Sequence, residues 1–207
     1  MLKDMAIFYW TIALKEQSMI FKQQAEFGFP NLMNVKVPRM DFSQRAAMKW
    51  ATIEERDRVL DMDCGNGALL HMLTQQYRVD ACGLCPGARQ ARSIRDLLPE
   101  VDVMNAQPGD IPFRSASFDA VLITRRTGKN CQQNALGEIL RVLRPGGQVV
   151  IACKGMKALR NLIMDGDMEM DKRELMRALQ QAGFREVSWR SAGLLGIVIA
   201  WKPNNLK

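Results

Sequence analysis

Two spacings of apolar residues alternate along this chain of 207 residues, and each change of spacing marks a predicted element. Near the start, Met5, Phe8, Ile12 and Met19 share one face of a helix over residues 4–26, with Lys15, Glu16, Lys22 and Gln23 elsewhere. Gly28 and Pro30 end it. A second helix reaches Trp50 from Asp41 or Ser43, either of which can cap it. Val59, Leu60 and Met62 then form a short apolar run of the kind that suits a strand buried on both faces. Further strands are predicted at Val79 to Pro86 (the strand and its exit), Val101 to Met104, Ala120 to Thr124, Val149 to Cys153, Phe184 to Trp189 and Leu194 to Trp201. Between them the helical spacing returns in Leu69, Met72 and Leu73, in Pro86 to Leu98, from Gln132 through Leu143, and in Leu175 through Ala182. Strand and helix in alternation predict an α/β fold with a mostly parallel sheet and helices on both faces. The last two strands are expected to pair antiparallel. Residues 57–207 read as one unit, and residues 1–56 as a helical extension lying across the top of the sheet.

The stretch Arg58 to Gly67, RVLDMDCGNG, is where the candidate chemistry concentrates. A strand that ends in an acid and two glycines and then turns into a helix builds a ligand crevice at the carboxyl end of a sheet. Glycine there lets the backbone approach a ligand that a side chain would exclude. By this pattern the chain resembles the class I S-adenosylmethionine (SAM)-dependent methyltransferases, whose first motif is an acid followed by three alternating glycines. Asp61, Gly65 and Gly67 fit, and Asp63 stands at the first glycine position. Ile111, Pro112 and Phe113, followed by Ser117, Phe118 and Asp119, reproduce a second family passage. The stretch Glu138 to Gly147, EILRVLRPGG, is the most family-specific, and it identifies the fold more than the ligand. The ending, a helix, Ala182-Gly183-Phe184, a strand and a hairpin strand, resembles the ubiquinone/menaquinone-biosynthesis-like branch. The resemblance covers about Arg58 to Lys202 and implies a Rossmann-like, seven-stranded sheet with an antiparallel last strand.

It also implies a cofactor, SAM, and a set of contacts for it. The turn Asp61, Asp63, Cys64, Gly65, Asn66 and Gly67 would surround the methionine end. Gly83 and Leu84 would lie near the ribose, Ala106 and Gln107 near the adenine, and Thr124 at the level of the methyl group. The family's ribose acid falls on Gly83 when the second strand is aligned on Pro86, and on Cys85 when it is aligned on the preceding glycine. Neither accepts a pair of hydroxyls, so Gly83→Asp is expected to tighten binding. Glutamine at 107 keeps an acceptor oxygen and adds a donor.

Composition narrows the alternatives. A net charge of +7 and a pI near 9.4 permit an anionic substrate, nucleic acid or an acidic membrane face without selecting one. Arg89 to Arg95 and Arg125 to Lys129 are the local basic clusters, read first as solvated surface. No apolar run approaches the ~18 residues of a membrane span. The first residues lack a small-residue cleavage site, which argues against a signal peptide. Five cysteines without a regular framework point to a reducing, cytoplasmic setting. Cys82 and Cys85 form a C-x-x-C with no second pair, and the single histidine, His71, does not complete a zinc site, so no metal is assigned. The 14 methionines are read as core packing, ahead of a pliable pocket lining. The resemblance implies that residues 1–56 form a lid over cofactor and substrate, where Tyr9, Trp10 and Phe42 are candidate substrate contacts, with ordinary packing read ahead of that role for each.

Two functional readings remain. The first is methyl transfer to a small molecule, an anionic one among the candidates, with no catalytic base assigned. The second is a non-catalytic member of the fold serving as a binding or partner subunit, favoured by Asp63, Gly83 and Gln107. A nicotinamide oxidoreductase is weaker, because Leu70 stands where its third glycine is needed. No recognisable RNA-binding module accompanies the fold.

Overall fold

The computed structural model of the protein describes residues 38–124, 133–154, 172–192 and 195–204. The chain divides into two units, residues 1–37 and 38–207, and the described residues belong to the second. The predicted first helix, Tyr9, Trp10, and the basic loop residues Arg125, Arg126 and Lys129 lie outside the described residues.

Helix α1, Phe42–Met48, starts at Asp41, whose side chain accepts from the Gln44 amide while the Gln44 side chain accepts from the Asp41 amide. This reciprocal capping selects Asp41 over Ser43 as the cap. Phe42, a candidate substrate contact, is the first residue of α1 and is exposed. Strand β1, Arg58–Met62, leads through the glycine turn into α2, Ala68–Met72, which continues as a π-helical turn over Leu73–Tyr77. Then come β2 (Asp80–Cys85), α3 (Ala88–Leu97), β3 (Asp102–Asn105), β4 (Phe118–Ile123), α4 (Gln133–Val142), β5 (Leu143–Lys154), α5 (Lys172–Ala182), β6 (Arg185–Ala192) and β7 (Leu195–Trp201).

The seven strands form one sheet in the order β3-β2-β1-β4-β5-β7-β6. β1 to β5 pair in parallel, and β7 runs antiparallel to both β5 and β6. The chain direction along the sheet reverses between β1 and β4, and ligands bind α/β sheets at such a switch point. β5 begins six residues earlier than the predicted Val149. Its register against β4 jumps from Phe118↔Leu143 to Ala120↔Gln148, so the Arg144-Pro145-Gly146-Gly147 segment is accommodated as an irregularity in the pair.

Two apolar layers hold the sheet. Val59, Leu69, Leu70, Ile94 and Leu122 are among those buried on the side of α1, α2 and α3. Leu60, Met62, Val121, Ile139 and Leu179 are among those on the side of α4 and α5. Full burial of each large aliphatic side chain contributes about 1.5–3 kcal/mol, so the central strands are the most firmly held elements. Gly196, the glycine in β7, makes room for the Trp189 indole lying across it from β6. The predicted α/β architecture and element order agree with this structure.

Candidate functional site

The carboxyl end of β1 is tied to β2 by its own backbone. Asp63 and Cys64 both donate their amide N–H to the Leu84 carbonyl, at 2.8 and 3.1 Å, so the chain leaves β1 while still bonded to its neighbour. The turn then needs left-handed backbone at Asp63 (φ 62°), Gly65 (φ 59°) and Gly67 (φ 80°). Aspartate is one of the few side chains that visits this region, which explains how Asp63 replaces a glycine without undoing the turn. Gly67 donates to Cys64, the Asn66 side chain accepts from Ala68 at 3.1 Å, and the Gln90 side chain of α3 donates to the Gly65 carbonyl. Gln90 was not singled out from the sequence, and nothing in its spacing marks it.

The turn residues expected around the methionine end do not all face one space. Asp61 is fully buried within the sheet, paired across to Gly83 and Leu122. Asp63 is half-buried, Asn66 exposed, and Cys64 and Gly65 buried. Gly67 is buried against α3, where a Cβ would meet Ile94 Cγ2 at 3.3 Å. Its role is close helix packing, the part played by the third glycine in nucleotide-binding turns.

The ribose assignment to Gly83 is corrected. Gly83 lies inside β2, registered with Asp61 on one side and Val103 on the other. A Cβ there would sit 2.8 Å from Leu70 Cδ1 and 3.0 Å from Cys64 Sγ, so the position faces the packed layer beneath the turn. Leu84 is buried, and its carbonyl is used by the turn. The strand-end position is Cys85, and it forms a disulfide with Cys64, Cα to Cα 5.9 Å. This bond was not expected from five irregularly spaced cysteines. It arises from register, because the two amides bonded to Leu84 bring Cys64 beside the end of β2.

The C-x-x-C is not assembled as a pair. Cys82 is free and packs in the α4/α5 layer, whereas Cys85 packs in the α2/α3 layer, as strand alternation requires for residues three apart. Burial pushes the Cys82 thiol up to about 11, against the partial relief offered by Arg58. It is a neutral thiol at pH 7, not a nucleophile. His71 is half-buried in α2.

Beyond β3 the chain is again held by β2. Ala106 N–H and the Asn105 side chain both donate to the Cys85 carbonyl, at 3.2 and 2.9 Å. Ala106 is half-buried and Gln107 exposed, and the Gln107 carbonyl accepts from Asp110 to close a tight turn. Thr124, just past β4, is buried, and its Oγ1 has no hydrogen-bond partner among the described residues. The carboxyl ends of β1, β2, β3 and β4 therefore bring the turn, Cys85, Ala106 with Gln107, and Thr124 to one edge of the sheet. For SAM, the turn and the Gln107 amide suit the two ends of the molecule. The strand end carries a cysteine in a disulfide where a ribose-binding carboxylate would stand, so that contact does not fit.

The family model described as a methyltransferase domain matches residues 59–147. An uncharacterised methyltransferase of Mycobacterium tuberculosis is 26% identical over 151 residues, which span 69% of this chain and 62% of that protein. Among solved structures, a complex of the Haloferax volcanii Trm112 methyltransferase activator with a putative methyltransferase has a TM-score of 0.65 at 17% identity, covering 78% of this chain and 89% of that one. A SAM-dependent methyltransferase from Aquifex aeolicus has a TM-score of 0.63 at 18% identity, covering 77% and 89%. At these identities the solved structures establish the shared fold.

Proposed function

We infer that the chain is a class I SAM-dependent methyltransferase that binds SAM at the β1/β2/β4 edge and methylates a small molecule, a reading supported by the methyltransferase-domain match over residues 59–147. The observation that carries this reading is the left-handed turn from Asp63 to Gly67, tied through Leu84 to the end of β2 at the switch point of the sheet. The residues proposed to hold the cofactor are that turn with Asp61, and Ala106 with Gln107; the strand end at Cys85 offers no ribose acceptor.

Bound SAM supplies a sulfonium whose methyl group is already activated for in-line displacement. The chain's own contribution is then to orient and exclude. Asp63, half-buried in the turn, is proposed to lie beside the methionine end of the cofactor. Thr124, just past β4, is proposed to lie at the level of the transferred methyl group. Holding two reactants in a near-attack geometry removes about 7–11 kcal/mol from a barrier, so no catalytic base is assigned. An anionic acceptor is in keeping with the net charge of +7.

Among the described residues no helix is long and apolar enough to cross a membrane. We place the protein in the cytoplasm. Both Cys64 and Cys85 are fully buried, which keeps soluble reductants from their disulfide in the folded state. A second reading has an observation of its own. With Cys85 bonded to Cys64 the ribose acceptor is missing, as in a member that has given up turnover and acts as a binding or partner subunit.

Calorimetric titration with SAM and, separately, S-adenosylhomocysteine tests the proposal. Micromolar binding of either sustains it. No heat and no thermal shift at millimolar ligand overturn it. Binding without methyl transfer to any acceptor in a panel of small phenols, quinols and acids moves the assignment to the second reading.

A further inference from the structure

The EILRVLRPGG passage identifies the family, yet two of its side chains leave α4 to grip the loop that precedes β4. Glu138 and Arg141 form a two-pronged pair, Nε to Oε1 at 2.7 Å and Nη2 to Oε2 at 2.7 Å. Glu138 Oε2 also accepts from the Ile111 amide at 2.9 Å. The Arg141 guanidinium donates to the Ile111 carbonyl and the Phe113 carbonyl, each at 2.8 Å. Ile111 thus has both of its backbone polar groups bonded to one side-chain pair, and Arg141 keeps the Glu138 carboxyl below the usual carboxylate range. Only Arg offers a fork of donors able to serve a carboxylate and two carbonyls at once.

The gripped residue adjoins the candidate adenine turn. Gln107 and Asp110 close that turn through a 3.0 Å backbone bond, and Ile111 follows directly. On its other side Ala106 is bonded to the Cys85 carbonyl. The turn of residues 107–110 is therefore strung between two fixed points, the end of β2 and the Glu138–Arg141 pair. Gln107 itself is exposed, so its position depends on these flanking anchors more than on burial.

We propose that Glu138 and Arg141 are positioning residues that set the adenine-facing turn at Gln107, acting on cofactor affinity through Ile111. The proposal rests on the reading of the crevice as a SAM site. Arg144 provides a matched comparison. It extends from the same end of the passage and pairs with Asp119 at 2.6 Å, but it makes no bond to the 107–113 loop.

The test measures S-adenosylhomocysteine affinity for the full chain and for Arg141→Met, Arg144→Met and Glu138→Gln. Arg141→Met is expected to weaken binding about 10-fold, the scale seen when a supporting shell is removed. Arg144→Met leaves affinity unchanged, and Glu138→Gln falls between, since its amide oxygen still accepts from Ile111. In a Gln107→Ala background Arg141→Met should cost little more, because the residue it positions is gone. Hydrogen exchange of the 107–113 backbone without ligand should quicken in Arg141→Met and not in Arg144→Met. If the wild type binds and both arginine variants bind alike, or if the loss is undiminished without Gln107, the proposal falls while the SAM reading stands. If the wild type does not bind, the SAM reading falls and takes the proposal with it. Should Arg141→Met not fold, Glu138→Gln carries the same comparison.

Discussion

Cys82 has three charged groups around it, Arg58, Asp80 and Asp102, but its environment is decided by burial, which drives the thiol up to about 11. Native protein should therefore resist iodoacetamide at this residue at pH 8 and react only as the pH approaches that value or the chain unfolds. Peptide mapping after alkylation checks this, and rapid native labelling of Cys82 at pH 8 would contradict it. Gly83 shows the opposite economy, an absent side chain that matters. With Leu70 Cδ1 and Cys64 Sγ waiting at 2.8 and 3.0 Å, Gly83→Ala should destabilise by about 1–3 kcal/mol in urea unfolding, the usual cost of overpacking. Gly83→Asp adds a buried charge to the same clash. It should weaken SAM binding, not tighten it as the sequence alone implied. The residue type was legible at both positions. What was not legible was register, since Pro86 and Gly83 offered two alignments and only the Asp61↔Gly83 pairing places the strand end at Cys85.

At the scale of elements, the glycine turn is held by several separate ties. Leu84 holds it by two amides, Gln90 by one carbonyl, and Cys64–Cys85 by a covalent bond between residues 21 apart. Closing a loop of that length stabilises a fold by about 3 kcal/mol in the chain-entropy account. The double variant Cys64→Ser, Cys85→Ser should therefore have a lower urea midpoint than the wild type, by a similar free energy. Non-reduced peptide mapping should find the two cysteines joined. Recovery of both as free thiols from denatured, unreduced protein would contradict the pairing. The helices and strands themselves were largely readable, because periods of burial are local: β1, β4, β7 and α5 fall within a few residues of the apolar runs that predict them. The β5 start was missed because Pro145, Gly146 and Gly147 separate Leu143 from the apolar run at Val149, whereas the sheet absorbs them as an irregularity beside β4.

For the whole molecule, the sheet order β3-β2-β1-β4-β5-β7-β6 and the methyltransferase-domain match over 59–147 agree with the architecture that the strand–helix alternation and the family-like passages predict. What the sequence could not supply is how separate passages meet. EILRVLRPGG identified the fold more than the ligand, yet Arg141 and Glu138 bond to Ile111, about 30 positions earlier in the chain. Such contacts follow from three-dimensional assembly and leave no local period to read. Asp63, Cys85 and Gln107 bear on a single question, whether the proposed site at this sheet edge accepts SAM. Calorimetric titration with S-adenosylhomocysteine answers it most directly. The account predicts micromolar, one-to-one binding that weakens in Arg141→Met and not in Arg144→Met. No detectable binding at millimolar ligand would contradict it.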